Sequence, residues 1–238
     1  MCIRDRAMAN KCKSLDELKA VTVDGRTVAD LVIEEGGKTG EKTEIGAYEY
    51  LEAPSTTSYN HLGNKLATIA GFNLEGVDAQ VGKDVAMQVA SMNPIAVDRD
   101  SVAKSIVEAE YNVAVEKTKE EQVKKAVEAA LKKAGINPNL VDSEDHISSN
   151  IAKGWLTEEE ADKARKIAKE TAEAKAANLP EQMIQNIANG RVNKFYKENC
   201  LMEQEFIKDG NLTIGKYLEQ AQKGLVVVTF KRVNLNED

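Results

Sequence analysis

The chain's 238 residues are 42% hydrophobic and 30% charged, enough to pack one large or two ordinary domains, which excludes a small disulfide-stapled scaffold. Aromatic residues make up only 5%, so the core must be built from Ala, Val, Leu and Ile, a composition that suits helices and disfavours an all-β fold. A formal net charge of −7 repels phosphate backbones and anionic lipid surfaces, so direct binding to nucleic acid or to a membrane is not expected.

The first residues, Met1 to Arg6, contain no apolar stretch followed by a small-residue cleavage site, so no secretory signal is read there. Asn10 to Glu35 reads as two helical pieces. Ser14 caps the first, with Glu17 at capping-box spacing, and Gly25 separates it from the second. Gly36-Gly37-Lys38-Thr39-Gly40 reads as a glycine-rich turn. Its Gly37-Lys38-Thr39 resembles the end of a phosphate loop, but Val32 stands where the pattern requires glycine, so the turn reading is preferred. Two short strands are predicted next, Glu44 to Ala53 and Lys65 to Phe72, joined by a polar connection from Pro54 to His61. Val85 to Met92 places Val85, Val89 and Met92 on one helical face, a core helix stopped at Asn93-Pro94.

From Ser101 to Lys133 no Gly or Pro intervenes, which predicts one long helix of about 50 Å at the standard rise. Its apolar seam is read through Val102, Ile106, Ala109, Val113, Val123, Val127, Ala130 and Ala134, interrupted by Glu116 and Glu120. Gly135 and Pro138 end this helix. A short helix from Ser143 to Lys153 follows, and the capping box beginning at Thr157 opens a second long helix, broken at Leu179-Pro180 and resumed from Glu181 to Glu198. A helix from Thr213 to Gln222 precedes a strong strand from Gly224 to Val233. The first-half strands can meet the C-terminal one only if the helical excursion leaves and rejoins one domain. The expected fold is therefore α+β: a small antiparallel three-stranded sheet with packed helices, and an inserted antiparallel helical arm that projects.

No run approaches the roughly 20 apolar residues of a membrane span. The cysteines Cys2, Cys12 and Cys200 lack the spacing of a disulfide framework or a zinc site, which points to a reducing cytoplasm. Neither a nucleophile motif nor a dinucleotide fingerprint occurs, and the carboxylates sit mostly in helical charge patterns. An enzyme is therefore not expected, and no cofactor or metal is implied. His61 lies in a loop between predicted strands, where binding residues often sit, but taken alone it reads as an ordinary surface or capping histidine.

Five stretches in register resemble bacterial elongation factor Ts, the guanine-nucleotide exchange factor for elongation factor Tu. They are Ser58-Tyr59-Asn60-His61 with the strand after it, Val85 to Pro94, Glu108-Ala109-Glu110-Tyr111, Leu179 to Phe195, and Cys200 to Asp209. The resemblance implies binding to Tu in its GDP-bound and nucleotide-free forms, and promotion of GDP release. It implies a partner-contact role for His61 and Tyr59 in the Ser-Tyr-x-His loop, and for Lys38, Thr39 and Gly40, where the family carries Lys-Ile-Gly-Glu and Thr39 replaces the isoleucine. The implied organisation is a non-family leader at 1–6 and a core at 7–100. A helical hairpin occupies 101–188, longer than the minimal family version around Val123 to Glu170, and 189–238 returns to the core. The family's Thr-Gly-Ala-Gly-Met-Met-Asp-Cys-Lys and Thr-Asp-Phe-Val motifs are absent from these residues, so an N-terminally truncated factor with impaired exchange is expected. The alternative is a helical adaptor or scaffold. It gains if the three strands fail to share a sheet, or if His61 is buried.

Overall fold

A computed structural model describes residues 3–61, 63 and 65–236. Helix α1 spans Ile3–Ala9 and α2 spans Leu15–Ala20, where Ser14 Oγ accepts the Glu17 amide at 3.2 Å, the predicted cap. Strands β1 (Thr22–Val23) and β2 (Arg26–Thr27) form a minimal hairpin about Asp24-Gly25 and lead into α3, Val28–Thr39. Thr27 and Asp30 close a full capping box on α3, and the Thr27 bonds hold the Asp30 carboxyl below its usual range. Val28, Leu18, Val23, Ala7 and Cys12 bury one another in a small cluster, sealed by Tyr48, whose hydroxyl donates to the Cys12 carbonyl at 2.7 Å.

The predicted glycine turn is corrected, because α3 runs through Gly36, Gly37 and Lys38 to Thr39, and only Gly40, at φ 72°, leaves the helix. Lys38 pairs with Glu35 at 2.7 Å and with Glu34 at 3.3 Å, supporting the last turn against the low helix propensity of two glycines. Gly36 also answers a packing need. A Cβ there would stand 2.9 Å from the Glu41 carbonyl oxygen of the returning chain.

The predicted strand at Glu44 to Ala53 is likewise corrected. That segment joins no ladder; Ser55–Asn60, read from the sequence as a polar connection, forms β3 instead, paired antiparallel with β4 (Leu66–Phe72) from Ser55 opposite Phe72 to Asn60 opposite Ala67. The 44–53 segment crosses the sheet face rather than lying along its edge. Leu51 and Ala53 pack over Gly71, and Glu49 meets Lys231 at 3.1 Å, so its side chains serve packing on the sheet. Helix α4 spans Ala79–Met92, beginning earlier than predicted at its cap Asp78. Val85 and Val89 are fully buried as expected, but Met92 is 44% exposed: it belongs to the last turn, beyond the core.

The helical segment begins with α5, Lys104–Lys133, whose 30 residues extend about 45 Å. After a 3₁₀ turn at Pro138–Leu140 come α6 (Glu144–Ala152), α7 (Glu158–Ala177) and α8 (Glu181–Asn199). Helix α7 runs back along α5: Leu131 and Val127 cluster with Ala164 and Ile167, the geometry of an antiparallel pair. The predicted seam holds in part: Val102 is buried and Val127 and Ala134 pack in the Leu131 cluster, but the middle of the stripe is shifted. Ala114, Thr118 and Leu131 are the buried positions of α5, whereas Ile106 and Val113 are 41% and 47% exposed. Glu116 and Glu120 therefore do not interrupt the contact stripe, because they lie beside it. Ion pairs Arg191 to Glu121 (2.6 Å) and Arg165 to Glu144 (2.8 Å) tie α8 to α5 and α7 to α6. Trp155, in the turn between α6 and α7, is 64% exposed, with the Lys153 ammonium 5.1 Å from its ring centre.

The chain then forms a hairpin of β5 (Glu205–Phe206) and β6 (Asp209–Thr213), helix α9 (Ile214–Ala221) and strand β7 (Val227–Asn234). Strand β7 pairs antiparallel with β4, so the order is β3-β4-β7, and the two ends of the sequence share one sheet as predicted. One face of that sheet carries the main core: Ala70, Phe72 and Val227 meet Val85 and Val89 of α4, Ile214 and Leu218 of α9, and Leu201, Phe206 and Leu225.

Three buried polar groups lock this layer. Thr68 donates to the Ala86 carbonyl at 2.7 Å, and Gln88 bridges Gln204, the Glu205 carbonyl and the Ile207 amide. Asp84, 5% exposed, accepts from Gln80 (2.6 Å), Lys208 (2.7 Å) and Tyr217 (2.9 Å). Burial opposes the Asp84 charge, but the bonds from Lys208, Tyr217 and Gln80 prevail and hold its carboxyl below the usual range.

By internal contacts the chain divides into two units, Met1–Val102 with Tyr196–Asp238, and Ala103–Phe195. No helix among the described residues is long and apolar enough to cross a membrane.

Candidate functional site

The register of β3 fixes the first candidate group. Alternation places Ser55, Thr57 and Tyr59 on the half-covered face and Thr56, Ser58 and Asn60 in solvent. His61 follows directly, its amide donating to the Leu66 carbonyl at 2.9 Å to close the hairpin end, with its side chain exposed. Tyr59 and His61 come together. The Tyr59 oxygen lies 2.9 Å from His61 Nδ1, and the ring centres are 6.0 Å apart with a 56° tilt.

The second group sits at the C-terminal end of α3. Lys38 is exposed, and its bonds to Glu35 and then Glu34 raise its ammonium above the ordinary range. Its charge also complements the carbonyl end of the helix. Thr39 turns its hydroxyl onto the Glu35 and Gly36 carbonyls at 3.3 and 3.2 Å, satisfying acceptors that a helix end leaves open. Gly40 supplies the left-handed residue that follows. Among the described residues no hydrogen bond or ion pair joins this group to Tyr59 and His61.

One residue of this surface escaped the sequence reading. Ile33 on α3 is 71% exposed, off the stripe formed by Val28, Leu31 and Val32. A helical wheel drawn from Val28 would have found it, because residue 33 falls about 100° from position 32. It offers in this region the apolar surface that Thr39, bonded to its own helix, does not.

A cleft of the helical unit, about 920 Å³, lies between α5 and the α7–α8 junction, lined by Tyr111, Val115, Val123, Leu179 and Ile184. Glu120 and Glu181 reach it, but no histidine or cysteine does among the described residues. No cluster of three or more metal-ligating side chains occurs among the described residues.

A family model described as elongation factor TS matches residues 2–133 and 115–237. The elongation factor Ts of Bacteroides thetaiotaomicron is 54% identical over 237 residues, covering 99% of this chain and 72% of that protein. This chain belongs to the elongation factor Ts family. The elongation factor Ts of Phocaeicola vulgatus is 52% identical with 99% and 71% coverage, and that of Porphyromonas gingivalis is 37% identical with 99% and 66%. The two matched stretches overlap at 115–133, inside α5. Family members are nucleotide exchange factors of translation elongation. The adaptor alternative loses its two conditions, since the three strands share one sheet and His61 is exposed.

Proposed function

We propose that this chain binds elongation factor Tu through two patches of its α+β unit and promotes GDP release. The observation that carries the reading is the family match across 99% of the chain, in which the Ser58-Tyr59-Asn60-His61 run falls at an exposed hairpin end. His61 and Tyr59 form one patch. Lys38, Thr39 and Gly40 form the other, with Ile33 in the apolar role of the family's isoleucine. The helical unit corresponds to the family's hairpin and adds surface of its own.

Exchange of this kind is linkage. The factor binds better to the conformation of Tu in which magnesium and the phosphate loop are disturbed, so nucleotide affinity falls by the same free energy. Nothing in that scheme requires a nucleophile or a bound metal on the factor. The Asp-Phe motif that the family inserts beside the magnesium site does not occur in these 238 residues, so they bind Tu while accelerating release less than a protein that carries it.

Release of a fluorescent GDP analogue from Tu tests this. Adding the chain should speed release measurably, and His61→Ala or Ile33→Asp should reduce the effect about tenfold or more at subsaturating concentration, as loss of a buried contact does. Unchanged binding by both variants would place the contact elsewhere.

A further inference from the structure

Residues 59 and 61 stand two apart at the end of a strand, so pleat alternation directs both side chains the same way. The resulting 2.9 Å contact is between the Tyr59 hydroxyl and His61 Nδ1. A neutral imidazole has one donor and one acceptor nitrogen, and the partner of the first decides which role is left to the second. Tyr59 has no other polar partner among the described residues. A phenol is a strong donor and a weak acceptor, because its oxygen lone pair is drawn into the ring, whereas the bare imidazole nitrogen is a strong acceptor. The reverse bond, Nδ1–H to the phenol oxygen, would use the poorer acceptor of the pair and leave the better one to solvent.

We infer that Tyr59 is a positioning residue: its O–H donates to His61 Nδ1, fixes the ring as the Nε2–H tautomer, and presents that N–H outward as a donor. The group that His61 meets on a bound protein is then a hydrogen-bond acceptor, a backbone carbonyl or a carboxylate. Holding the ring in place before association removes an ordering cost that binding would otherwise incur. The partner half of this inference rests on the reading of His61 as a contact to Tu; the tautomer half does not.

The two halves have separate tests on the full chain. Long-range proton–nitrogen NMR of the neutral imidazoles, above pH 7.5, reads the tautomer directly. His61 should show an unprotonated Nδ1 and a protonated Nε2, and Tyr59→Phe should move both nitrogen shifts toward the averaged values of a free side chain. His146, bonded to Asp142, should stay in place as an internal reference. A protonated Nδ1 in the native chain, or no change in Tyr59→Phe, would overturn the tautomer assignment and leave the contact reading standing.

Affinity for Tu tests the donor. His61→Gln keeps an N–H near the Nε2 position and should bind within about threefold of the native chain, whereas His61→Asn, whose N–H sits near Nδ1, and His61→Ala should be weaker by about tenfold. Tyr59→Phe should cost about two- to fivefold. If His61→Asn binds better than His61→Gln, the outward donor is wrong. Native affinity in His61→Ala would remove the partner half together with the contact reading, without touching the NMR result.

Discussion

Asp84 offers a graded test of the polar lock between α4 and the C-terminal hairpin. Three donors converge on its carboxylate: Gln80 and Lys208 on Oδ1, Tyr217 on Oδ2. In Asp84→Asn the carbonyl oxygen can keep Gln80 and Lys208, while the new NH2 donates to the Tyr217 oxygen after its hydroxyl rotates. The loss is the charge assistance and the acceptor of the Tyr217 hydroxyl, about 1–2 kcal/mol. Asp84→Ala instead removes the acceptor of all three donors and opens a small void; Lys208 and Gln80 can turn to solvent, so about 2–4 kcal/mol is expected, mostly from the void and the Tyr217 hydroxyl. Urea unfolding at pH 7 measures both. The pH dependence carries a sign. A carboxyl with a lowered folded-state pKa adds stability that is complete above its unfolded value near 4 and lost as pH falls through the folded value, so the gap between the native chain and Asp84→Asn should shrink as pH falls below about 4. Equal losses for the two variants, or a gap independent of pH, would refute the reasoning.

The register of α5 is checked by a matched pair: Ala114→Lys should cost about 2 kcal/mol or more, by burying a cation in the α5 stripe, while Val113→Lys on the exposed side should stay within about 0.5 kcal/mol. Burial, then Asp84, pushes the Tyr217 hydroxyl up to about 12. Its contribution is whole below pH 10 and lost as pH rises toward 12, so the stability difference between the native chain and Tyr217→Phe should shrink across that window, and a flat difference would contradict the assignment. Trp155 is the sole tryptophan and largely exposed, so its fluorescence maximum should be solvent-like in the native protein and shift little on unfolding. A blue-shifted native spectrum would mean that it is covered.

Helices were the legible part of this sequence, because their caps are chemical. Ser14 and Thr157 announce starts that the structure keeps, though the box that Thr27 and Asp30 close on α3 went unread. Which face of a helix is buried was harder to read. In the middle of the Ala- and Val-rich α5 neighbouring positions both look apolar, and only packing against the returning helices chooses Ala114 over Val113. Strand β3 was missed for a related reason. At a sheet edge the backbone bonds do the pairing, so Ser55, Thr56 and Ser58 need no hydrophobic signature, while the more strand-like 44–53 segment is spent on covering a face. Glycine pairs read as turns unless something holds the helix together, and at Lys38 that something is two glutamates. Of the candidate site, residue identity reached His61 only through resemblance; the Tyr59 bond that orients it is a product of strand register, which no local pattern encodes.

The placement of β7 beside β4 has a consequence for how the protein is made. Its partner at Phe72 is Val227, so the second edge of the central strand stays open while the entire helical segment is synthesised. At about 5–20 residues per second that interval is on the order of 10–30 s on the ribosome. During this time β3, β4 and α4 form a small unit in which Val85 and Val89 cover part of Ala70 and Phe72, while the rest of that apolar face waits for α9 and β7. The helical unit has its own internal contacts and can form meanwhile. The α+β unit closes only when the last strand of the chain arrives.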